Sequence, residues 1–209
     1  MDIVVPIPEQ NGKEGVLPKR IIVAVTGASG SVYGYRLLQM LKRRADVEIH
    51  LILSRAAERT SKIELSLLAS DWKQLSDFSY PIEDIGCRLA SGSFSADAMV
   101  ITPCSIHTLS AIASGISSNL IVRAADVCLK ERRRLILGVR ETPFHLGHLR
   151  SMLAATEMGA IIAPPIPAFY HNPKTILDVV DHSIFRILDL LGLPDADAFR
   201  WDDIADAEE

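Results

Sequence analysis

The residues best suited to chemistry stand in short groups, each directly after an apolar run typical of a strand. Gly27, Ala28 and Ser29 form the first group. Glycines let the backbone approach a ligand closely, and free N–H groups at a following helix start attract anions. The group therefore suits a phosphate or the edge of a flavin, although a plain turn explains the same glycines. Neither the GxGxxG nor the GxxxxGK[ST] pattern is present.

Hydroxyl, thiol and imidazole groups stand together at 103–108, in the sequence PCSIHT. Ser105 and Thr108 are spaced to cap a helix or to bind a phosphate, and the sequence leaves both interpretations open. The side chains of Cys104 and His107 are of types that can serve as a nucleophile and a base. Three residues apart at a strand–helix junction, they need not face each other, so we disfavour a thiol nucleophile.

A charged pair, Arg140 and Glu141, follows a further apolar run. A carboxylate beside a guanidinium in a cleft at a sheet end can act as a general acid or base. A surface ion pair explains the same residues equally well. His145 and His148 are spaced as two metal ligands, but the sequence offers no third ligand nearby, so we predict no metal site.

A nucleotide-dependent reductase is disfavoured. Tyr170 and Lys174 have the YxxxK spacing of such enzymes. Pro173 lies between them, however, and a proline there disrupts the single helical face that this spacing needs. Ser54 follows the second predicted strand, where dinucleotide-binding folds place an acidic residue to hold the ribose.

The hydrophobic pattern predicts the elements that position these groups. Five apolar runs predict strands, at Ile21–Val25, Val47–Leu53, Ala98–Thr102, Arg134–Val139 and Ala160–Ala163. Helical patterns cover Val32–Arg44, Glu64–Leu75, Ile106–Lys130 with a break near 115–119, Pro143–Met158 and Lys174–Leu191, and 80–92 has room for one short strand. This alternation predicts an α/β three-layer sandwich, a flavodoxin- or Rossmann-like parallel sheet with helices on both faces. Ligands of such sheets bind beyond the carboxyl ends of the strands.

Composition excludes several classes of protein. The 209 residues include 22 Lys plus Arg and 26 Asp plus Glu, a formal net charge of −4, so the chain lacks the basic excess of a nucleic-acid binder. The longest stretch without a charged side chain, 98–122, contains a proline, a histidine, an asparagine and five serines, which disfavour a membrane span. The three cysteines form no CxxC pair, so we expect free thiols and a cytoplasmic protein.

The chain divides into three parts by composition. Residues 1–19 hold two early prolines and then polar residues, and they lack the basic and apolar segments of a signal peptide. We expect them to form a flexible extension outside the core. Residues 20–193 carry the strand–helix pattern and form the predicted domain, and 194–209 form an acidic C-terminal tail.

Six ordered segments together resemble one known family. They are TGASGS at 26–31, SGSF at 91–94, PCSIHT at 103–108, RAADVCLKER at 123–132, VRETPFHLGHLR at 139–150 and PPIPAFYH at 164–171. Over residues 20–193 the chain is similar to the UbiX-type flavin prenyltransferases, within the homo-oligomeric flavin-containing cysteine decarboxylase superfamily. Six motifs in order make this resemblance far more specific than any one of them.

The resemblance implies a reaction. Members of the family transfer a dimethylallyl group from dimethylallyl monophosphate to N5 of reduced FMN and close a fourth ring at C6. The product, prenylated FMN, serves UbiD-type decarboxylases. The resemblance therefore implies FMN, no metal, and a homo-oligomer, commonly a dodecamer.

The resemblance also implies roles for individual residues. FMN would be held by Gly27, Ala28, Ser29, Ser54, Ser105, Ile106, His107, Thr108 and Arg140. The prenyl phosphate would be held by Arg123 of a neighbouring subunit, Lys130, Tyr170 and Arg186, and Phe94 would line the pocket over the prenyl chain. Ser29 and Glu141 would manage protons, with the released phosphate as an alternative base. Clustered cationic and phenolic donors suit a departing phosphate, and aromatic faces suit an allyl cation.

Two other functions stay open at this point. FMN-dependent peptidyl-cysteine or phosphopantothenoylcysteine decarboxylases share the superfamily, but their PASANT-like and PxMN segments are not found at 103–108 and 164–170. The other open function is that of a non-catalytic, flavin-binding accessory subunit of an aromatic-acid decarboxylase.

The chain departs from the family in its N-terminal extension, which the shortest members lack. It also departs at His107, for which we expect a flavin contact through the backbone only.

Overall fold

A single parallel sheet organises the chain. The computed structural model describes residues 17–200, and its six strands lie in the order β3-β2-β1-β4-β5-β6. They are β1 Lys19–Val25, β2 Val47–Leu53, β3 Phe78–Tyr80, β4 Ala98–Cys104, β5 Arg134–Val139 and β6 Ile161–Ile162. The predicted α/β fold is confirmed, and the short strand expected near Tyr80 is the edge strand β3.

Seven helices cover the two faces of this sheet. They are α1 Ser31–Lys42, α2 Arg55–Leu65, α3 Ala69–Lys73, α4 Ile106–Ala113, α5 Leu120–Lys130, α6 Leu146–Glu157 and α7 Ile176–Leu190. Side chains of β1 alternate between two cores: Val23 packs with α1 and α7, and Ala24 packs with α4 and α5. This alternation produces three layers because successive side chains of a strand point to opposite faces. Arg36 of α1 binds Asp181 of α7 through two hydrogen bonds, of 2.8 and 2.7 Å.

One predicted helix is wrong. The segment Glu64–Leu75 is not continuous, because α2 ends at Leu65 and Ser66 adopts a left-handed conformation with φ 57°. The hydrophobic pattern failed to reveal α2 because only Ala57 and Ser61 of this helix are buried. Two further boundaries differ less: the predicted break between α4 and α5 is confirmed, and α6 begins after its N-cap, His145, rather than at Pro143.

The two ends of the chain were predicted to lie outside the domain. Residues 1–16 of the extension and 201–209 of the acidic tail lie outside the described residues. The first part of the tail packs against α7, where Arg200 pairs with Asp189 at 3.0 Å and Ala198 is buried. Within residues 17–200, no helix combines the length and apolar character that a bilayer span requires.

Candidate active site

Four loops lie side by side at one edge of the sheet. The loop after β2 meets the end of β1, where Ser54 N donates to Val25 O at 3.0 Å. The loop after β5 meets the end of β4 in the same way, where Arg140 N donates to Cys104 O at 3.0 Å. The loops after β2, β1, β4 and β5, which we call the loop row, therefore flank the point where the strand order reverses. Ligands bind at this point in open α/β sheets.

Thr26 joins the two central loops of the row. Its side chain is buried, and its hydroxyl donates to Pro103 O at 2.8 Å and accepts from Ser105 N at 2.8 Å. Its own backbone N–H also donates to Pro103 O, at 3.2 Å. Thr26 is a structural residue for which the sequence motifs predict no role of its own. A threonine at a strand end, directly before a glycine turn, was the available signal.

Two helices begin at the loop row with a serine cap. Ser54 Oγ accepts from Ala57 N at 3.0 Å, and Ser105 Oγ accepts from Thr108 N at 3.3 Å. Capping is thereby confirmed for Ser105. It leaves the N–H groups of Ile106 and His107, in the first turn of α4, without an acceptor inside the helix. The His107 side chain is exposed, so these backbone groups can meet a phosphate or another anionic group.

The N-terminus of α1 is occupied by a carboxylate of the chain itself. Gly30 is the N-cap, with φ 102°, and has no side chain to accept the first N–H groups. Glu64, at the end of α2, accepts from Gly30 N at 3.0 Å and from Ser31 N at 2.8 Å. A phosphate at these N–H groups would meet that negative charge. Of the two ligands predicted for this loop, the flavin edge is therefore the one that fits.

Glu64 is a candidate functional residue that sequence reasoning missed. Burial raises the pKa of its carboxyl, but hydrogen bonds from Ser29, Ser31 and Gly30 outweigh burial and hold the pKa below its ordinary value. A charged carboxylate thus contacts Ser29, one of the two predicted proton-handling residues. A helix whose N-cap is a glycine needs a hydrogen-bond acceptor from elsewhere in the fold. That need was the signal in the sequence that could have pointed to a residue such as Glu64.

Arg140 and Glu141 are both exposed at the end of β5, and no ion pair joins these two described side chains. Thr142 N donates to Glu141 Oε1 at 2.9 Å. Burial raises the pKa of Tyr33 in α1, and the positive charge of Arg140 opposes that rise. The positive charge of Arg140 therefore influences Tyr33, close to the start of α1 and to the loop row. The Glu141 carboxylate faces solvent.

Phe94 lies elsewhere in its own chain. Its ring is 5.1 Å from the Arg20 guanidinium carbon and 5.1 Å from the ring of His50. Arg20 stands at the start of β1, whereas the loop row begins where β1 ends. Phe94 therefore lies away from the loop row of its own chain, and its place over the prenyl chain stays a prediction. The sequence position alone could not reveal this, because packing against β2 decides where the ring lies.

Arg123 and Lys130 both lie on α5, beside the segment 88–94 that carries Phe94. Arg123 Nε donates to Ala90 O at 3.3 Å, and its NH1 pairs with Asp126 at 2.7 Å. Lys130 pairs with the adjacent Glu131. Both cations are thus held by α5, its C-cap and the segment 88–94. We call Phe94, Arg123 and Lys130 the α5 patch.

Tyr170 and Arg186 come together in a third place. They line one cavity of about 240 Å³ beside α7. Tyr170 Oη lies 2.6 Å from His182 Nε2. Arg186 pairs with Asp189 at 3.0 Å, and Arg200 binds the same carboxylate at 3.0 Å. A phenol and two guanidiniums around one small cavity suit a phosphate group.

The remaining candidate groups have structural explanations. His145 Nδ1 accepts from Gly147 N at 3.0 Å and so caps α6. Within residues 17–200, no three His, Cys, Asp or Glu side chains are grouped so as to hold a metal ion. All three cysteines are free, as expected. Burial raises the pKa of Cys104 to about 12, so its thiol is not a nucleophile near neutral pH.

Comparisons with known proteins identify the family of the chain. The model of the family described as Flavoprotein matches residues 10–184. The flavin prenyltransferase UbiX of Thauera aromatica is 51% identical over 183 residues, which are 87% of this chain and 93% of that protein. The UbiX of Escherichia coli K12 is 49% identical over 185 residues, 88% of this chain and 98% of that protein.

Solved structures give the same result. The crystal structure of AnUbiX (PadA1) in complex with FMN and dimethylallyl pyrophosphate has a TM-score of 0.86 and 48% identity, over 88% of this chain and 97% of that chain. A dodecameric FMN-dependent UbiX-like decarboxylase from Escherichia coli O157:H7 has a TM-score of 0.86 and 44% identity, over 87% and 98%. The peptidyl-cysteine decarboxylase EpiD, with 15% identity and a TM-score of 0.61 over 84% and 99%, shares the fold alone. The chain therefore belongs to the flavoprotein family and, within it, to the UbiX-type flavin prenyltransferases.

Proposed function

We propose that this protein transfers a dimethylallyl group from dimethylallyl monophosphate to N5 of reduced FMN and closes a ring at C6. One observation carries the assignment of the site. The loop row offers neutral donors and hydroxyls for a flavin, and a separate cavity offers a phenol and guanidiniums for a phosphate. Reduced FMN would supply the nucleophilic N5. The residues of the chain would bind and orient the two substrates and would handle the protons.

The loop row is the proposed FMN site. Gly27, Ala28 and Ser29 would face the flavin edge, because the neighbouring N–H groups of α1 already donate to Glu64. The first turn of α4, with Ser105 as its cap, would hold the FMN phosphate through the N–H groups of Ile106 and His107. Ser54, Thr108 and Arg140 complete this set.

The α7 cavity is one half of the proposed prenyl-phosphate site. Tyr170 and Arg186 line it together. Cleavage of the allylic carbon–oxygen bond leaves negative charge on the departing phosphate. Preorganised cationic and phenolic donors stabilise such charge more in the transition state than in the ground state.

The other half would come from a second copy of the chain. Arg123 and Lys130 of the α5 patch have their partners in α5, its C-cap and the segment 88–94, and no contact with the loop row of their own chain is seen among residues 17–200. The protein also exposes an unusual apolar surface, since α6 buries only Ala155 and leaves Leu146, Leu149 and Leu153 between 50% and 59% exposed. Large exposed apolar patches mark interaction sites. We propose a homo-oligomer, a dodecamer by family resemblance, in which the α5 patch of one copy, Phe94 included, meets the cavity of another.

Two carboxylates would handle the protons. Glu64, charged and in contact with Ser29, can accept the Ser29 hydroxyl hydrogen and so orient Ser29 Oγ toward the reacting atoms. Glu141 is exposed at the loop row and would accept the C6 proton on ring closure, unless the released phosphate does so. We further propose a cytoplasmic location and a UbiD-type decarboxylase as recipient of the product.

Anaerobic incubation of the purified protein with reduced FMN and dimethylallyl monophosphate tests the function. We expect mass spectrometry to find a flavin heavier by one prenyl unit, and the extracted product to activate a UbiD-type apo-decarboxylase. A parallel arm with the diphosphate tests the choice of donor. Recovery of unmodified FMN in both arms would refute the proposal, and release of carbon dioxide from a cysteine-ended peptide would favour a decarboxylase instead.

A further inference from the structure

A histidine of α7 holds the hydroxyl that we assign to the prenyl phosphate. His182 Nε2 lies 2.6 Å from Tyr170 Oη, and the two rings meet edge to face at 83°. His182 is 9% exposed, whereas Tyr170 is 43% exposed. The histidine therefore lies on the core side of the phenol, and both residues line the α7 cavity.

The His182 ring is fixed by its surroundings. His171 stacks on it, with ring centroids 4.5 Å apart and the planes within 9°. Arg186 follows His182 by four residues on α7, so both side chains point from the same face of the helix. A ring held in this way can impose a direction on its hydrogen-bond partner.

His182 is neutral near pH 7. Burial lowers the pKa of its imidazole, and the charges of His171 and Arg186 act in the same direction. A neutral imidazole has one nitrogen that donates and one that accepts. The hydrogen bond to Tyr170 can therefore run either way, and each direction has a different consequence for a ligand in the cavity.

If Tyr170 donates its hydrogen to His182, the phenol oxygen presents only lone pairs to the cavity and repels a phosphate oxygen. If His182 donates instead, the phenol hydrogen is available to the phosphate. The second hydrogen bond then also polarises the first, since chains of hydrogen bonds reinforce one another. An anionic ligand selects the second arrangement.

We propose that His182 is a positioning residue for the prenyl phosphate: with its hydrogen on Nε2, it donates to Tyr170 Oη and directs the phenol hydrogen at the phosphate. The proposal rests on the proposed function, because it needs Tyr170 to bind that group. We assign His182 no direct role toward the flavin or the prenyl donor, because it acts through the Tyr170 hydroxyl. Its effect should therefore appear in the affinity for the donor and depend entirely on the Tyr170 hydroxyl.

Steady-state kinetics of the full chain test this with two variants. His182→Phe keeps a flat ring for the stack and removes the donor, and His182→Gln keeps a side-chain N–H. We expect His182→Phe to raise KM for dimethylallyl monophosphate roughly three- to tenfold, the value of one hydrogen bond. We expect kcat and the Kd for FMN to change less than about twofold, and His182→Gln to restore most of KM. His171→Phe is the matched control, since it changes the same stack without removing a hydrogen bond to Tyr170.

A double-mutant cycle separates positioning from packing. In a Tyr170→Phe background, His182→Phe should raise KM no further. An unchanged KM in the single variant, or the same rise in both backgrounds, would overturn the proposal while the prenyl transfer itself stands. A wild-type protein that leaves FMN unmodified would refute the function and this inference together. If His182→Phe does not fold, as judged by thermal unfolding, His182→Met provides a second variant without a donor.

Discussion

Thr26→Val should loosen the loop row without altering any group that we expect to touch a ligand. The buried Thr26 hydroxyl donates to Pro103 O and accepts from Ser105 N, both at 2.8 Å. Valine has nearly the same shape but fills neither role. Pro103 O keeps the Thr26 N–H as a donor at 3.2 Å, whereas Ser105 N loses its acceptor.

The magnitude follows from these two bonds. An unsatisfied buried N–H costs about 1–3 kcal/mol, and the lost donated bond costs about 1 kcal/mol more. The expected loss of unfolding free energy is therefore about 2–4 kcal/mol. For a domain of this size, Tm should fall by roughly 5–15 °C. Because Ser105 caps α4 at the proposed FMN phosphate site, we also expect the Kd for FMN to rise about tenfold, the equivalent of 1.4 kcal/mol.

Urea unfolding and FMN fluorescence titration measure the two effects. Thr156→Val is the matched control, because the exposed Thr156 hydroxyl donates only to Met152 O of its own helix, at 2.8 Å. Exposed substitutions of this kind change stability by less than about 0.5 kcal/mol. If Thr26→Val and Thr156→Val unfold at the same urea concentration, the two central loops do not depend on the Thr26 bridge, and the reasoning fails.

Three further predictions concern charged groups. Arg123→Ala should raise KM for dimethylallyl monophosphate about tenfold or more, the value of a charge-assisted hydrogen bond, with FMN binding retained in a fluorescence titration; equal loss of both ligands would contradict the site assignment. Glu141→Gln should lower kcat about a hundredfold if this carboxylate is the base, and an unchanged kcat in stopped-flow assays would assign that role to the released phosphate. Glu64→Gln should destabilise the fold most near neutral pH. Because the folded-state pKa of Glu64 lies below the ordinary value of 4.5, its stabilisation is present above that value and is lost as the pH falls through the folded-state pKa. Urea unfolding should therefore show the difference from wild type shrinking at acidic pH, and a constant difference would argue against a charged cap.

Local patterns predicted most of the sheet. The predicted strands Val47–Leu53 and Arg134–Val139 match β2 and β5 to the residue, because the first alternates apolar and polar residues and the second is a short apolar run, both of which are typical of strands. The helix α2 was missed because only Ala57 and Ser61 of its residues are buried. A helix that buries few side chains leaves little periodic signal in its sequence.

The candidate site was predicted in part. The groups at the strand ends were found because residues that follow parallel strands share one edge of the sheet. Phe94 lies beside Arg20 and His50 in its own chain, and a motif position does not reveal which side of the fold its side chain faces. Arg123 and Lys130 have their partners in α5 and in the segment 88–94, and the proposal that a second copy of the chain brings them to the cavity goes beyond what a local pattern can predict.

The sequence by itself determined the α/β alternation and the family, since each depends on neighbouring residues or on motifs in fixed order. The tertiary structure decided which distant groups meet. Glu64 caps a helix that begins 33 residues earlier in the chain. Thr26 bonds to the end of β4, 77 residues away, and His182 meets Tyr170 because α7 folds back along the sheet. Such contacts depend on strand order and helix packing, and no local pattern of residue types records either of them.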